Sequence, residues 1–177
     1  MQADLRSRAG RAAKGRIVAT RRQAEPSVRL RPGGFDDLDA VMDIMTSAFP
    51  PDYGEAWTRS QCAGILPMNG VTLTIADGPN GPAGFSLVRA VADEAELLLL
   101  AVDPGQQRRG IGIALLEDFI ESAHASGATR LHLEVRDGNP AMTLYSAAGF
   151  APAGRRRNYY HGLHGEAFDA VTLMLID

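Results

Sequence analysis

The sequence predicts a single α/β domain with a mixed central sheet of about seven strands and helices on both faces of the sheet. Strand-like alternation and amphipathic helical periodicity follow one another along the chain. Leu97–Val102 is an unbroken apolar run of six residues, which is typical of a strand buried on both faces. A helical run at 113–123 then leads to another strand at 131–135, and together they predict a right-handed βαβ unit.

In the first half of the domain, the sequence pattern predicts one strand, two helices and a hairpin. Residues 28–31 alternate as a strand before a Pro-Gly-Gly break. Apolar residues recur at helical spacing from 38 to 49, between two aspartates that favour a helix start and two prolines that end it. A weaker helical pattern spans 55–66, and strands at 71–76 and 83–91 flank a Gly- and Pro-rich turn.

The second half of the domain completes the predicted sheet. The βαβ unit begins with a strand at 96–102, and a short helix at 141–148 follows it. Two last strands are expected near 151–158 and 167–176. Because the chain has 177 residues and no internal repeat, we expect one domain at 27–177.

Composition excludes several classes of protein. The net charge is −3, and the single cysteine, Cys62, excludes an internal disulfide and a multi-cysteine metal site. No apolar run approaches the roughly 18–20 residues of a membrane helix, and no signal-peptide pattern lies near the N-terminus. We therefore expect a soluble, reduced, cytoplasmic protein without a metal, since its four histidines show no ligand spacing.

Residues 1–26 are basic, and we expect them to form a flexible tail. Residues 1–25 carry seven basic and two acidic side chains, whereas the rest of the chain carries 11 basic and 19 acidic ones. The segment has few large apolar residues, so it cannot bury enough surface to offset its ordering entropy. Two alternatives stay open, an arginine-rich arm that attracts RNA or the ribosome and an organellar transit peptide.

A glycine-rich turn at 102–114 predicts an anion-binding site where the buried strand leads into a helix. Gly110 and Gly112 have no Cβ, so an anion can approach the backbone closely. Free N–H groups at a helix start favour that anion, and Arg108 and Arg109 add positive charge. The pattern is neither a P-loop nor the dinucleotide-binding fingerprint, and it suits a pyrophosphate.

The same turn resembles a known family signature. Gln107–Gly112, QRRGIG, matches the Q/R-x-x-G-x-G/A signature of the GCN5-related N-acetyltransferases, the GNAT superfamily. Five further motifs resemble the bacterial ribosomal-protein-alanine N-acetyltransferase (RimI-like) branch: AFP at 48–50, LEVR at 133–136, LY at 144–145, GF at 149–150 and RNYY at 157–160. The resemblance extends from about residue 27 to 177 and implies the GNAT fold, with a V-shaped gap between two central strands.

The resemblance implies that acetyl-CoA binds in this gap. Its pantetheine arm would pair with the backbone of Leu100, Ala101 and Val102. Asn139 matches the family's cofactor-contacting asparagine, although the interval from Asn139 to Tyr145 is one residue shorter than the family's. The pyrophosphate would be bound by the turn and the helix start, namely Gln107, Arg108, Arg109, Gly110, Ile111, Gly112 and Ile113.

Acetyl transfer to an amine needs a base for the amine and an acid for the leaving thiolate. Glu134 interrupts the apolar strand 131–135, where a carboxylate is costly unless it is solvated or functional, and it matches the branch's base position. Glu94 and Glu96 stay open as alternatives, because other GNAT branches carry the base on the preceding strand. Tyr145 matches the family's acid, and a phenol can protonate a thiolate.

Four aromatic residues are candidates for the acceptor site. Tyr159 and Tyr160 lie between the last two predicted strands, where the branch closes over its peptide, and Phe49 and Trp57 are expected on the opposite wall. The predicted acceptor is a primary amine, first of all the N-terminal α-amine of a protein such as a ribosomal protein. A small-molecule amine, such as a polyamine or an aminoglycoside, and a non-catalytic acyl-CoA-binding module are the alternatives.

Overall fold

The structure is a computed structural model that describes residues 28–176, so the expected tail at 1–26 lies outside the described residues. Over the described residues, seven strands form one sheet in the order β1-β2-β3-β4-β5-β7-β6. All neighbours are antiparallel except the parallel pair of β4 and β5. The predicted mixed seven-stranded sheet is confirmed, with strands β1 Arg29–Pro32, β2 Val71–Gly78, β3 Gly81–Val91, β4 Glu94–Val102, β5 Arg130–Arg136, β6 Ala151–His161 and β7 Ala167–Ile176.

Helices cover both faces of the sheet, as predicted. Within residues 28–176 they are α1 Leu38–Ala48, α2 Arg59–Ile65, α3 Ile111–Ala125 and α4 Met142–Ala147. Helices α1 and α2 bury Met45 and Cys62 against one face, and α3 and α4 bury Phe119 and Tyr145 against the other. None of these helices is long and apolar enough to cross a membrane.

Helix α2 begins later than the helical pattern at 55–66 predicts. Thr58 caps it, because the Thr58 hydroxyl accepts from the Gln61 N–H and the Gln61 side chain accepts from the Thr58 N–H. Residues 49–58 therefore form a connection between α1 and α2, with a single 3-10 turn at Pro51–Tyr53. We call this segment the α1–α2 connection.

A β-bulge in β4 divides the centre of the sheet. Leu98 is an extra residue between two consecutive pairs that β4 makes with β3. On its other side, β4 pairs with β5 over Glu94–Leu97, and then the ladder stops. Residues 98–102 of β4 and 134–136 of β5 continue without pairing to each other. We call this opening the fork, and it is the gap that the family resemblance implies.

The start of α1 is tied to the sheet by Arg31 on β1. Its guanidinium donates to Asp37 at 2.7 Å and pairs with Asp77 on β2 at 3.1 Å. The hydrogen bond from Arg31 holds the pKa of Asp37 below its usual value. This network fixes the helix that covers one wall of the fork.

We expect Asp37→Asn to lower the free energy of unfolding by about 1 kcal/mol at pH 7, a modest amount because Arg31 is one-third exposed. The folded pKa of Asp37 lies below its unfolded value. Its charge therefore stabilises the fold above the unfolded pKa of about 4, and this contribution is lost as the pH falls through the folded pKa. Urea unfolding at pH 7 and pH 3 measures it, and an equal loss at both would contradict the assignment.

Candidate active site

An open cavity of about 130 Å³ lies at the fork. Its lining comes from the α1–α2 connection, the two fork strands, the β5–α4 turn with α4, and β6. The cavity therefore brings distant parts of the chain together around the end of the β4–β5 ladder. Eight residues predicted for the site line it: Phe49, Trp57, Leu100, Glu134, Asn139, Tyr145, Tyr159 and Tyr160.

Glu134 presents one engaged and one free carboxylate oxygen. Its Oε1 accepts from the Thr172 hydroxyl at 2.9 Å, and Thr172 is its direct partner across the β5–β7 ladder. The same oxygen lies 3.3 Å from Arg156 Nε on β6. Oε2 is buried and has no hydrogen-bond partner among the described residues. The sheet thus fixes the carboxylate and leaves one oxygen available for chemistry.

The two rival carboxylates are placed differently. Glu94 is half-exposed and forms an ion pair with Arg130 at 2.8 Å, away from the residues that line the cavity. Glu96 does line the cavity, and its carboxylate lies 3.9 Å from His132 Nε2. The geometry therefore leaves Glu134 and Glu96 beside the cavity.

Tyr145 is a buried phenol on α4. It is 6% exposed and packs edge-on against Phe150, with ring centroids 6.3 Å apart. Burial raises its pKa well above the ordinary value for tyrosine, and the negative charge of Glu55 adds to the shift. Tyr145 also lines the cavity. The phenol keeps its proton at neutral pH and is available as a donor.

Tyr160 is a second phenol with a raised pKa, again chiefly because of burial and then because of Glu55. Its hydroxyl donates to the backbone carbonyl of Glu134 at 3.5 Å. Tyr159 is more exposed and packs edge-on against Tyr160 at 4.9 Å. β6 contributes these two rings to the cavity lining, and the α1–α2 connection contributes Phe49, Glu55 and Trp57.

The glycine-rich turn presents main-chain donors without acceptors. Arg108 and Gly110 have positive φ angles of 65° and 79°. The first backbone hydrogen bond of α3 runs from the Ala114 N–H to the Gly110 carbonyl, so the N–H groups of 111–113 meet no acceptor in the described chain. Consecutive free N–H groups at a helix start form an anion site. The geometry of the turn is compatible with a pyrophosphate, and that role stays a prediction.

The other predicted cofactor residues adjoin the same opening. Residues 100–102 lie on β4 beyond its last pair with β5, so this edge of the strand is open. The Gln107 side chain donates to the Val102 carbonyl at 3.4 Å and ties the turn to the strand. Asn139 is engaged by the protein itself: its Nδ2 donates to Glu55 at 2.7 Å, and its Oδ1 accepts from the Ala141 N–H at 2.8 Å.

Glu55 is a charged cavity residue that the sequence analysis missed. Its side chain is 8% exposed, and its Oε2 lies 3.2 Å from Arg136 Nε, an ion pair too bent for a hydrogen bond. Arg136 is itself 10% exposed, and its guanidinium lies 3.7 Å above the Tyr53 ring. The capping pattern of Thr58 and Gln61 was the available signal, because it starts α2 after Glu55 and leaves Glu55 in the α1–α2 connection.

Comparison with known proteins identifies the family. Residues 38–150 match the family described as "Acetyltransferase (GNAT) family". The chain belongs to the GNAT family of acetyltransferases. It is 45% identical over 145 residues to the [ribosomal protein bS18]-alanine N-acetyltransferase of Escherichia coli K12, covering 76% of this chain and 97% of that protein. The enzyme of the same name from Haemophilus influenzae is 31% identical over 142 residues, with coverages of 75% and 97%.

Solved structures agree with this assignment. The E. coli ribosomal-protein-S18-alanine N-acetyltransferase has a TM-score of 0.73 at 34% identity, over 84% of this chain and 92% of that one. NAA60 of Arabidopsis thaliana in complex with acetyl-CoA gives 0.73 at 18% identity, over 84% and 97%, which shows the shared fold. The predicted GNAT fold, acetyltransferase activity and RimI-like resemblance are confirmed.

We expect Arg136→Met to lower the free energy of unfolding by about 3 kcal/mol, because it leaves the Glu55 carboxylate buried without its counter-ion. Arg130→Met is the matched control, since Arg130 and its partner Glu94 are both half-exposed. It should cost less than about 1 kcal/mol. Urea unfolding of the two variants checks this, and equal losses would show that the Glu55 pair is effectively solvated.

Proposed function

We propose that this enzyme transfers the acetyl group of acetyl-CoA to the N-terminal α-amine of a protein, with Glu134 as base and Tyr145 as acid. One observation carries the chemistry: a single cavity at the fork is lined by a carboxylate with a free oxygen and by a phenol that holds its proton. The fork opens into that cavity, and the free N–H groups of 111–113 follow the fork strand β4 along the chain, an arrangement that suits a long, phosphorylated thioester.

Glu134 acts on the acceptor amine. An α-amine has a pKa of about 8, so removing its proton at pH 7 costs roughly 1 kcal/mol, whereas a lysine amine costs roughly 4–5 kcal/mol. A carboxylate with one free oxygen is a sufficient base for the first of these. The Thr172 hydroxyl and Arg156 hold Oε1, so Oε2 is the oxygen that takes the proton.

Tyr145 acts on the leaving group. Acetyl-CoA supplies an activated thioester when it is bound. The buried phenol stays protonated through neutral pH and donates its proton or a hydrogen bond to the departing sulfur. Direct transfer needs no covalent enzyme intermediate, and neither Glu134 nor Tyr145 is placed as a nucleophile beside a partner base.

The acceptor follows from the relatives and from the aromatic walls. Proteins 45% and 31% identical to this chain carry the name [ribosomal protein bS18]-alanine N-acetyltransferase. Phe49, Trp57, Tyr159 and Tyr160 all line the cavity, and such aromatic walls suit an extended chain end. A ribosomal acceptor is consistent with a cytoplasmic location and with attraction of the ribosome to the basic residues at 1–26.

Purified enzyme mixed with acetyl-CoA tests the acceptor. Peptides that copy the N-termini of ribosomal proteins should release CoA and gain one acetyl group at the α-amine, read by mass spectrometry. The same peptides with a blocked N-terminus and an internal lysine should not react. Turnover of polyamines or aminoglycosides alone would replace the proposed acceptor, and CoA binding without any turnover would indicate a non-catalytic module.

We expect Glu134→Gln and Tyr145→Phe each to lower kcat by about 100-fold, because each removes one proton-transfer group. Neither change should alter the affinity for CoA by more than about twofold. Glu94→Gln is the control for the base, since Glu94 lies away from the cavity. Steady-state kinetics measure the effects, and a larger loss in Glu96→Gln than in Glu134→Gln would move the base to β4.

We expect Gly110→Ala to weaken CoA binding about 10-fold, because a Cβ at φ 79° strains the turn that presents the free N–H groups. Gly127→Ala is the matched control. Gly127 also has a positive φ, of 92°, and open space around it, but it lies at the far end of α3. Calorimetric titration with CoA compares the two, and equal affinities would contradict a pyrophosphate site at the turn.

A further inference from the structure

Tyr53, Gly54 and Glu55 make close contacts with the end of β6 and with Arg136, and the roles of Glu134 and Tyr145 do not account for them. Gly54 has a φ of 67°, and a Cβ there would lie 2.0 Å from the carbonyl oxygen of His161. A Cβ on Gly162 would likewise lie 2.0 Å from the carbonyl oxygen of Asp52. Only glycines permit this reciprocal approach, which presses the α1–α2 connection against the end of β6. We call it the glycine contact.

The glycine contact places two side chains on Arg136. Tyr53 stacks on its guanidinium at 3.7 Å, and Glu55 forms an ion pair with its Nε at 3.2 Å. Arg136 lies two residues after Glu134 on β5, and its guanidinium is also 5.8 Å from the Phe168 ring on β7. The connection is therefore anchored to the strand that carries Glu134.

Glu55 also reaches the helix that carries Tyr145. Its Oε1 accepts from Asn139 Nδ2 at 2.7 Å, and Asn139 Oδ1 accepts from the Ala141 N–H at the start of α4. Burying a charged group costs free energy, and the Glu55 side chain is only 8% exposed. We therefore infer that the groups it holds in place are its role. Glu55 joins the connection, β5 and α4 in one network.

We propose that Glu55 is a positioning residue for acetyl transfer, which acts through Asn139 and Arg136 to fix Tyr145 and the cavity wall. The inference rests on the proposed function of Tyr145 as acid and does not depend on the identity of the acceptor. Both Glu55 oxygens are engaged by the protein, so Glu55 acts on the reaction through its neighbours.

The kinetic test compares Glu55→Leu with Asp52→Asn, a change to an exposed carboxylate in the same connection. Rates are taken per CoA-binding site, so that loss of folded protein does not count as loss of kcat. Glu55→Leu should lower kcat on the order of 10-fold with KM for acetyl-CoA within about twofold, since small displacements of a reacting group are costly. Glu55→Gln, which can still accept from Asn139, should recover part of the rate. An unchanged kcat in Glu55→Leu overturns the proposal.

A double-mutant cycle tests the route through Asn139. If Glu55 acts through that side chain, Glu55→Leu should add little to the kcat loss of Asn139→Ala, and the coupling should nearly cancel the smaller single effect. Fully additive losses would overturn the route. The unfolding free energy is measured in parallel for all four proteins, so that a loss of stability can be distinguished from a loss of kcat.

A spectroscopic arm keeps this inference separate from the proposed function. Fluorotyrosine labelling gives four ¹⁹F resonances, one for each tyrosine, and the resonance that disappears in Tyr145→Phe belongs to Tyr145. With CoA bound, Glu55→Leu should split or broaden the Tyr145 resonance, whereas Asp52→Asn should leave it sharp. A single sharp line in Glu55→Leu overturns the positioning role even if no acceptor is turned over. A wild type that acetylates no amine overturns the proposed function, whereas the spectroscopic result still shows whether Glu55 fixes the Tyr145 side chain.

Discussion

The interruption of main-chain pairing between β4 and β5 is the constraint on which the rest of the site depends. One extra residue, Leu98, turns β4 so that Leu97 packs on the α3 side of the sheet and Leu99 packs under α1. A strand that changes its facing cannot continue a regular ladder with a straight neighbour. The sheet therefore opens at its centre, where it is otherwise most buried, and exposes the strand edge and Glu134 to the same space.

Charge in this space is arranged so that proton donors and acceptors stay distinct. Glu55 and Glu134 are each paired with an arginine, and burial raises the pKa of the two neighbouring phenols, Tyr145 and Tyr160. Burial and the Glu55 charge both favour the protonated phenol. The fold thus supplies, around one cavity, a carboxylate with a free oxygen and phenols that keep their protons.

The sheet, the glycine turn and most of the cavity-lining residues could be predicted from the sequence, because local residue patterns mark them. Gly110 and Gly112 between a buried strand and a helix indicate an anion site, and Glu134 is conspicuous in an apolar strand. The bulge was not predictable, since four consecutive leucines at 97–100 carry no alternation that marks a change of face. Glu55 was hidden for another reason: its partners lie more than 80 residues away, and its local helical pattern is overridden by the cap at Thr58.

The paired glycines at 54 and 162 make sequence changes in two distant segments depend on each other. Where backbone touches backbone, neither segment can gain a side chain or change length without moving the other. An insertion in one of these segments must therefore be matched by a change in the other. Grafting one loop from a relative into this scaffold would fail, whereas exchanging the two as a unit would preserve their fit.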